Sequence, residues 1–128
     1  MSYTIRDKAE LVTWARTIRW DWWTSPTFRY PVSSDTAFAA VEGWLRPLGA
    51  YALVGCQRGP TGDLIHPHVL IGGTGRNPRI ETALRDGWRR GNLDVDPYHP
   101  AQGAIEYLIR QASAFDVIGT PQEYRPRR

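Results

Sequence analysis

Two apolar segments separated by a short polar turn constrain the fold of this chain more than any other feature. Residues 51–57 and 64–72 are rich in β-branched and large apolar side chains, and the turn between them contains Gly, Pro and Asp. This pattern predicts an antiparallel β-hairpin. His66 and His68 lie two positions apart in the second strand, where alternate side chains leave from the same face. The predicted hairpin therefore presents two imidazoles side by side.

Helix and strand signals on both sides of the hairpin predict a β-α-β-β-α-β order within residues 22–96. The expected fold class is α+β, a ferredoxin-like split β-α-β antiparallel sheet with flanking helices. We expect strands over residues 22–30, 51–57, 64–72 and 93–95, and helices that follow the caps Asp7, Ser33 and Asn77, the third ending at Gly91. A fourth helix is expected over about residues 101–113. One domain over residues 1–118, followed by a Pro/Arg-rich tail over 119–128, is the expected organisation.

The composition narrows the class of protein. A chain of 128 residues with 41% hydrophobic and 23% charged residues suits one soluble domain. No apolar run approaches membrane-spanning length, and the polar start lacks the order of a signal peptide. Cys56 is the single cysteine, which excludes an internal disulfide and a thiolate metal cluster. We expect a cytoplasmic protein with no membrane partner.

A third side chain is expected on the histidine face. If the hairpin closes symmetrically around Pro60 and Thr61, Gly55 lies opposite His66, and Gln57 lies diagonal to it on the same face. Two neutral imidazoles and an amide oxygen from His66, His68 and Gln57 suit Mg²⁺ or Mn²⁺, and Gly55 is expected to leave space beside them. Asp63, Glu42 and His99 are weaker ligand candidates. The alternative is that both histidines are structural.

Tyr107 is set apart from the apolar face of the fourth helix. That face is formed by residues 101, 104, 105, 108, 109 and 112, and Tyr107 falls opposite it, with Gly103 one turn before and Arg110 one turn after. A phenol beside a divalent metal is what cleavage of a phosphodiester by a tyrosine nucleophile requires. Arg110 is then expected to stabilise charge on a phosphate oxygen. An ordinary exposed tyrosine is the alternative.

The basic residues suggest a phosphate-bearing partner. Lys8 is the only lysine among the 16 basic residues, and the planar arginine fork binds two phosphate oxygens at once. Six tryptophans add flat apolar faces, and this combination suits single-stranded nucleic acid. A GC-rich genome is the simpler explanation of the arginines and the one we favour. The predicted DNA-binding residues are Arg29, Arg76, Arg89 and Arg90, and the tail carries a further cluster at Arg125, Arg127 and Arg128.

Three segments resemble the HUH endonucleases, in particular the small rolling-circle replication initiators. Residues 24–29 (TSPTFR) are similar to the first strand motif of the family, and residues 63–71 (DLIHPHVLI) to its metal motif. Residues 88–95 (WRRGNLDV), followed by 103–108 (GAIEYL), are similar in spacing to the region that leads to the nucleophile. The likeness extends over most of residues 20–112.

The resemblance implies a five-stranded antiparallel sheet with flanking helices and a divalent metal at its centre. His66 and His68 would bind the metal, and Tyr107 would attack single-stranded DNA at a replication origin or nick site. The product would be a 5′-phosphotyrosine link and a free 3′-hydroxyl. Because no negative ligand is present, we expect metal affinity to be weak until a DNA phosphate completes the shell. Unwinding would require a separate helicase.

Three positions depart from the family pattern and keep other classes open. Pro67 stands between the histidines where a bulky apolar residue is usual, Gln57 replaces an acidic or histidine ligand, and Arg110 replaces a lysine. A catalytically silent DNA-binding module of the same fold is one alternative. Relaxases and transposases that use the same chemistry are a second, and a metal-dependent phosphohydrolase in which water attacks is a third.

Overall fold

The computed structural model describes residues 7–58 and 65–119. Within them the chain forms an α+β fold in which helices flank a five-stranded antiparallel sheet. The elements in chain order are α1 Lys8–Arg16, β1 Trp22–Pro26, α2 Ser34–Leu45, β2 Tyr51–Arg58, β3 Ile65–Gly72, α3 Pro78–Gly87, β4 Leu93–Pro97, α4 Ala104–Gln111 and β5 Ala114–Ile118. Short 3₁₀ turns at Arg46–Leu48 and Pro100–Gln102 follow α2 and precede α4.

The predicted β-α-β-β-α-β order is confirmed by β1-α2-β2-β3-α3-β4. The strands are arranged β4-β1-β3-β2-β5, so that β3 lies at the centre and the connections through α2 and α3 join strands that are not adjacent. The four strand pairs of this sheet are antiparallel. The histidine-bearing strand β3 therefore has a partner on each side, which fixes the direction of its side chains.

The three predicted helix caps are confirmed. The Asp7 carboxylate accepts the Glu10 N–H at 2.8 Å, and the side chains of Ser33 and Asn77 accept N–H groups three residues downstream, each at 3.1 Å. Each bond satisfies a backbone donor that has no partner within the helix. Local chemistry therefore fixes where α1, α2 and α3 begin.

The sheet separates two apolar layers. On one face, α2 and α3 cover alternate side chains of the central strands, among them Val54, Val69 and Ile71. On the other face, α1 and α4 cover Leu53 and Leu70. Because side chains alternate along a strand, His66 and His68 share the face of Leu70, which is the face covered by α1 and α4. Among the described residues, no helix combines the length and the apolar character that crossing a bilayer requires.

The predicted ends of β1 and α3 were wrong, and one strand was missed. β1 ends at Pro26, not at residue 30, because proline lacks the N–H that a continuing ladder needs. Helix α3 ends at Gly87, because Trp88 takes extended backbone and its indole N–H donates to the Thr27 carbonyl at 3.0 Å. The residues alone did not predict β5, which pairs with the outer edge of β2.

The fourth helix is shorter than predicted. Residues Pro100–Gln102 form a 3₁₀ turn, Gly103 adopts a left-handed backbone with φ of 71°, and α4 begins at Ala104. A side chain at this φ would be strained, so Gly103 permits the change of direction between the two helices. The predicted apolar face is confirmed from Ala104 onward, whereas Ala101 is exposed.

Gly55 does not leave open space beside the imidazoles as predicted. Helix α4 occupies that space: a Cβ added at Gly55 would lie 2.7 Å from Leu108 Cδ2 and 3.0 Å from Ala112 Cβ. The missing side chain lets the helix pack directly on β2. This close approach brings the exposed face of α4, including Tyr107, to the rim of the histidine face.

We therefore predict that Gly55→Ala destabilises the fold. The added methyl group must displace α4 by several tenths of an ångström, at a cost of about 1–3 kcal/mol in the free energy of unfolding. Urea denaturation followed by circular dichroism measures this change. Gly43→Ala in α2 is the matched control, because a Cβ there meets nothing within 4 Å. Equal stability of the two variants would show that α4 does not depend on Gly55.

Candidate active site

The hairpin register differs from the predicted one by two residues. Gln57 pairs with His66, and Gly55 pairs with His68. The cause is the apolar core, which pairs Leu53 with Leu70 instead of following a turn symmetric about residues 60 and 61. Residues 59–64 of that turn lie outside the described residues. A shift of two residues preserves the side-chain parity, so Gln57 stays on the histidine face, directly opposite His66.

Both ring nitrogens of His68 have polar neighbours on the two adjacent strands. Nδ1 lies 3.1 Å from Ser25 Oγ on β1, and Nε2 lies 3.1 Å from Gln57 Oε1 on β2. Three strands therefore hold one imidazole in a defined orientation. The serine hydroxyl can donate or accept, so its direction follows from the position of the ring proton.

Two aromatic rings enclose the same imidazole. Trp23 stacks on His68 with ring centroids 5.6 Å apart and an interplanar angle of 17°. Tyr107 meets it edge to face at 5.4 Å and also meets Trp23 at 6.3 Å. The Tyr107 side chain is on the same side of the sheet as both histidines and is 39% exposed. The phenol predicted from α4 and the imidazole predicted from β3 are therefore neighbours.

These rings border a cavity of about 370 Å³ that opens to solvent. It is lined by Trp23, Ser25, His68, Gln102, Ala104 and Tyr107. A cavity of this size suits a small ligand or one unit of a polymer. Its walls combine a phenol, a hydroxyl, an imidazole and an amide with the indole of Trp23.

Burial lowers the pKa of His68 below the ordinary 6.5, and the proximity of His66 lowers it further. An imidazole that is difficult to protonate is neutral at pH 7 and offers one nitrogen lone pair. That is the protonation state in which histidine binds metal ions.

The donor atoms at His68 fit a divalent cation. If Nδ1 carries the ring proton, Nε2 and Gln57 Oε1 are two lone-pair donors 3.1 Å apart. Neighbouring ligands of an octahedral Mg²⁺ are separated by about 3 Å. His66 is opposite Gln57 and supplies the second imidazole of the set. The described residues contain no cluster of three or more His, Cys, Asp or Glu that could hold a metal ion.

The predicted DNA-binding arginines fall at two places. Arg29 follows β1, and its N–H donates to the Arg90 carbonyl at 3.0 Å, so that Arg29, Arg89 and Arg90 share one end of the sheet. All three side chains are exposed. Arg76 follows β3 at the opposite end, beside a separate cavity of about 760 Å³, and is therefore not part of the same surface.

Arg110 is exposed on α4 one turn beyond Tyr107, and its carbonyl accepts a hydrogen bond from Lys8 Nζ at 2.9 Å. Of the weaker ligand candidates, Glu42 is excluded because it lies on α2, whose buried side packs on the opposite face of the sheet, and pairs with Arg46 at 3.5 Å. His99 is exposed before the 3₁₀ turn. Asp63 and the tail arginines lie outside the described residues.

Sequence reasoning did not identify Trp23, Ser25 and Gln102 as part of the site. One signal was available for two of them: alternation along β1 puts Trp23 and Ser25 on one face. Which face, and which histidine they meet, depends on strand order. Gln102 enters the cavity only because Gly103 redirects the chain ahead of α4.

Comparisons with known proteins find no relative of this chain. No protein-family model matches it, and neither curated proteins nor solved structures give a match.

We predict that the fold loses stability on mild acidification through His68. The unfolded chain binds a proton at this imidazole near pH 6.5, whereas the folded chain does so only at a lower pH. The contribution of neutral His68 to the free energy of unfolding is therefore fully present above pH 6.5, and it is lost progressively as the pH falls toward the lowered pKa. Urea unfolding in metal-free buffer between pH 5 and 8 measures it.

Two variants identify the source of this pH dependence. His68→Gln should remove the part of the slope that arises below pH 6.5, whereas His99→Gln, which removes an exposed imidazole, should keep it. An unchanged slope in His68→Gln would contradict the assignment.

Proposed function

We propose that the chain is an HUH-type endonuclease and strand transferase that acts on single-stranded DNA, with Tyr107 as the nucleophile. The observation that carries the proposal is the meeting of Tyr107 with His68, ring centroids 5.4 Å apart, at one solvent-accessible cavity. The two residues are far apart in the chain, and their convergence on the same sheet face is what phosphodiester transesterification needs.

In the proposed reaction the Tyr107 oxygen attacks a backbone phosphorus and the bond to the 3′ oxygen breaks. The phenol loses its proton and the released 3′ oxygen gains one. The phosphate keeps its bond to the 5′ oxygen of the DNA and is now also bonded to the Tyr107 oxygen. Attack by a 3′-hydroxyl on that link reverses the step and joins strands. Initiation of rolling-circle replication is the use we favour, and a relaxase or transposase would need the same residues.

His66, His68 and Gln57 are the proposed holders of Mg²⁺ or Mn²⁺, which would polarise the scissile phosphate when bound. The neutral state of His68 supports this role, as does the separation of its Nε2 from Gln57 Oε1. Arg110, one helical turn from Tyr107, is proposed to contact a non-bridging phosphate oxygen.

The proposed path for the DNA strand runs from the cavity toward Arg29, Arg89 and Arg90. Their shared end of the sheet carries the exposed ring of Tyr30, 56% accessible, which offers a base a stacking surface. Arg76 lies at the opposite end of the sheet and is not part of the proposed path. A separate helicase would supply the single strand.

One observation favours a second candidate, a DNA-binding module of the same fold without catalysis. Both ring nitrogens of His68 are already within hydrogen-bond distance of groups of the protein itself. If those bonds persist in the presence of metal and DNA, the imidazole has no lone pair to offer.

We predict that Tyr107→Phe abolishes covalent attachment to DNA. The wild-type protein, mixed with Mn²⁺ and single-stranded oligonucleotides from its own replicon, should give a covalent adduct on a denaturing gel. The variant lacks the attacking oxygen and should give none. Tyr30→Phe is the control, because it removes the oxygen of another exposed phenol and keeps the ring that could stack on a base, so it should retain full adduct formation. Cleavage without an adduct would support a hydrolase, and binding without cleavage the silent module.

We predict that Arg90→Gln weakens binding of single-stranded DNA and makes it less sensitive to salt. Each lost phosphate contact should reduce the slope of log affinity against log salt by about 0.7. Fluorescence anisotropy at several salt concentrations measures both quantities. Arg46→Gln is the control, since Arg46 begins the 3₁₀ turn that follows α2 and pairs with Glu42 on that helix, which packs on the opposite face of the sheet. An equal change in both variants would contradict the proposed path.

A further inference from the structure

Ser25 is placed at the centre of the site by β1. This strand runs between β4 and β3, pairs Ser25 with Asp94 on one side, and directs the serine side chain to the histidine face on the other. The Ser25 hydroxyl lies 3.1 Å from His68 Nδ1. Among the described residues it is the hydrogen-bond partner found at that nitrogen. Trp23 and Tyr107 contact the ring through their faces and edges and leave Nδ1 to the serine.

The partner at the other nitrogen restricts the proton position in the metal-free protein. Gln57 Oε1 can only accept a hydrogen bond, so a bond at 3.1 Å requires that Nε2 carry the proton. Nδ1 then holds the lone pair, and the Ser25 hydroxyl must donate to it. Both ring nitrogens of His68 have a hydrogen-bond partner in this arrangement.

Metal binding requires the opposite arrangement. A cation held by His68 and Gln57 needs the Nε2 lone pair, so the single ring proton must be at Nδ1. Nδ1 then needs an acceptor. A hydroxyl can accept as readily as it donates, so rotation of the Ser25 O–H bond satisfies the second arrangement without moving either residue.

We infer that Ser25 is a positioning residue of the metal site, an inference that rests on the proposed function. Its hydroxyl reverses direction when the cation binds, and the His68 ring exchanges one neutral tautomer for the other. The ring keeps one proton throughout: Nε2 releases a proton to water and Nδ1 takes one up. Serine at this position holds the same ring orientation in both states, which a pure donor or a pure acceptor could not do.

The variants that test this differ by one hydroxyl. Ser25→Thr keeps the hydroxyl and adds a methyl group. Ser25→Val has the same shape as Ser25→Thr but carries a methyl group in place of the hydroxyl, so both variants change the packing equally and differ only in the hydroxyl. Ser113→Ala is a control for removal of another serine hydroxyl, because Ser113 donates to the Cys56 carbonyl at 3.2 Å and does not contact His68. His68→Gln measures how much Mn²⁺ the protein binds without the His68 imidazole. Thermal unfolding checks that each variant is folded.

Two measurements follow metal binding without reference to activity. Water-proton relaxation gives the affinity for Mn²⁺, and ¹⁵N spectra of the labelled imidazoles report which nitrogen of His68 is protonated with and without saturating Mg²⁺. The wild type and Ser25→Thr should move the proton from Nε2 to Nδ1 on Mg²⁺ binding. Ser25→Val should bind Mn²⁺ about 10- to 100-fold more weakly than Ser25→Thr, and Ser113→Ala should bind as the wild type does.

The outcomes separate this inference from the proposed function. Equal Mn²⁺ affinity in the Thr and Val variants, with binding lost in His68→Gln, would overturn the role of Ser25 and leave the metal site intact. A His68 tautomer that does not change with Mg²⁺ would also overturn it. Mn²⁺ binding that is absent, or unaffected by His68→Gln, would overturn both. Hydroxyl-dependent Mn²⁺ binding without a Tyr107 adduct would sustain the inference while the proposed activity fails.

Discussion

The close packing of α4 on β2 at Gly55 is the contact on which the rest of the site depends. Leu108 and Ala112 occupy the volume that any larger residue at position 55 would need. Because Leu108 is buried and Tyr107 is its neighbour in sequence, the depth of the helix determines how far the phenol stands above the sheet. The Arg16–Glu106 ion pair and the Lys8 contact with the Arg110 carbonyl tie α1 to α4 from outside. These surface bonds contribute little free energy compared with the apolar contact beneath them.

The orientation of His68 is determined by elements far apart in the chain. Contributions come from β1 through Ser25 and Trp23, from β2 through Gln57, and from α4 through Tyr107. A ring held by hydrogen bonds at both nitrogens and by aromatic contacts on a face and an edge has little freedom to reorient. Pre-organisation of this kind reduces the entropy lost when a ligand arrives. It also explains why the site is formed at the centre of the sheet, where three strands are held by neighbours on both sides.

Features that depend on residues close together in the chain could be predicted from the sequence, whereas features that depend on contacts between distant segments could not. Period-two alternation put His66, His68 and Gln57 on one face, and helical periodicity put Tyr107 on the open side of α4; both depend on neighbours within a few residues. The hairpin register was wrong by two residues, because apolar pairing across β2 and β3 sets it. Ser25 and Trp23 meet His68 only because β1 inserts beside β3, a contact between strands more than forty residues apart in sequence. The residue pattern did not predict β5, because this strand is short and pairs only with the outer edge of β2.

The charges around the site favour joint binding of cation and substrate under the proposed function. The donors at His68 and Gln57 are neutral, and Glu106 on α4 is already paired with Arg16. Asp94 and Asp96 are exposed on the edge strand β4 and line a cavity of about 390 Å³ that shares Trp23 and Ser25 with the candidate site. Asp94 is two strands from His68, and the described residues contain no cluster of three or more His, Cys, Asp or Glu that could hold a metal ion. The three proposed metal ligands, His66, His68 and Gln57, therefore bring no negative charge of their own. Under the proposed function a DNA phosphate would supply negative charge, so the cation and the strand should each raise the affinity of the site for the other.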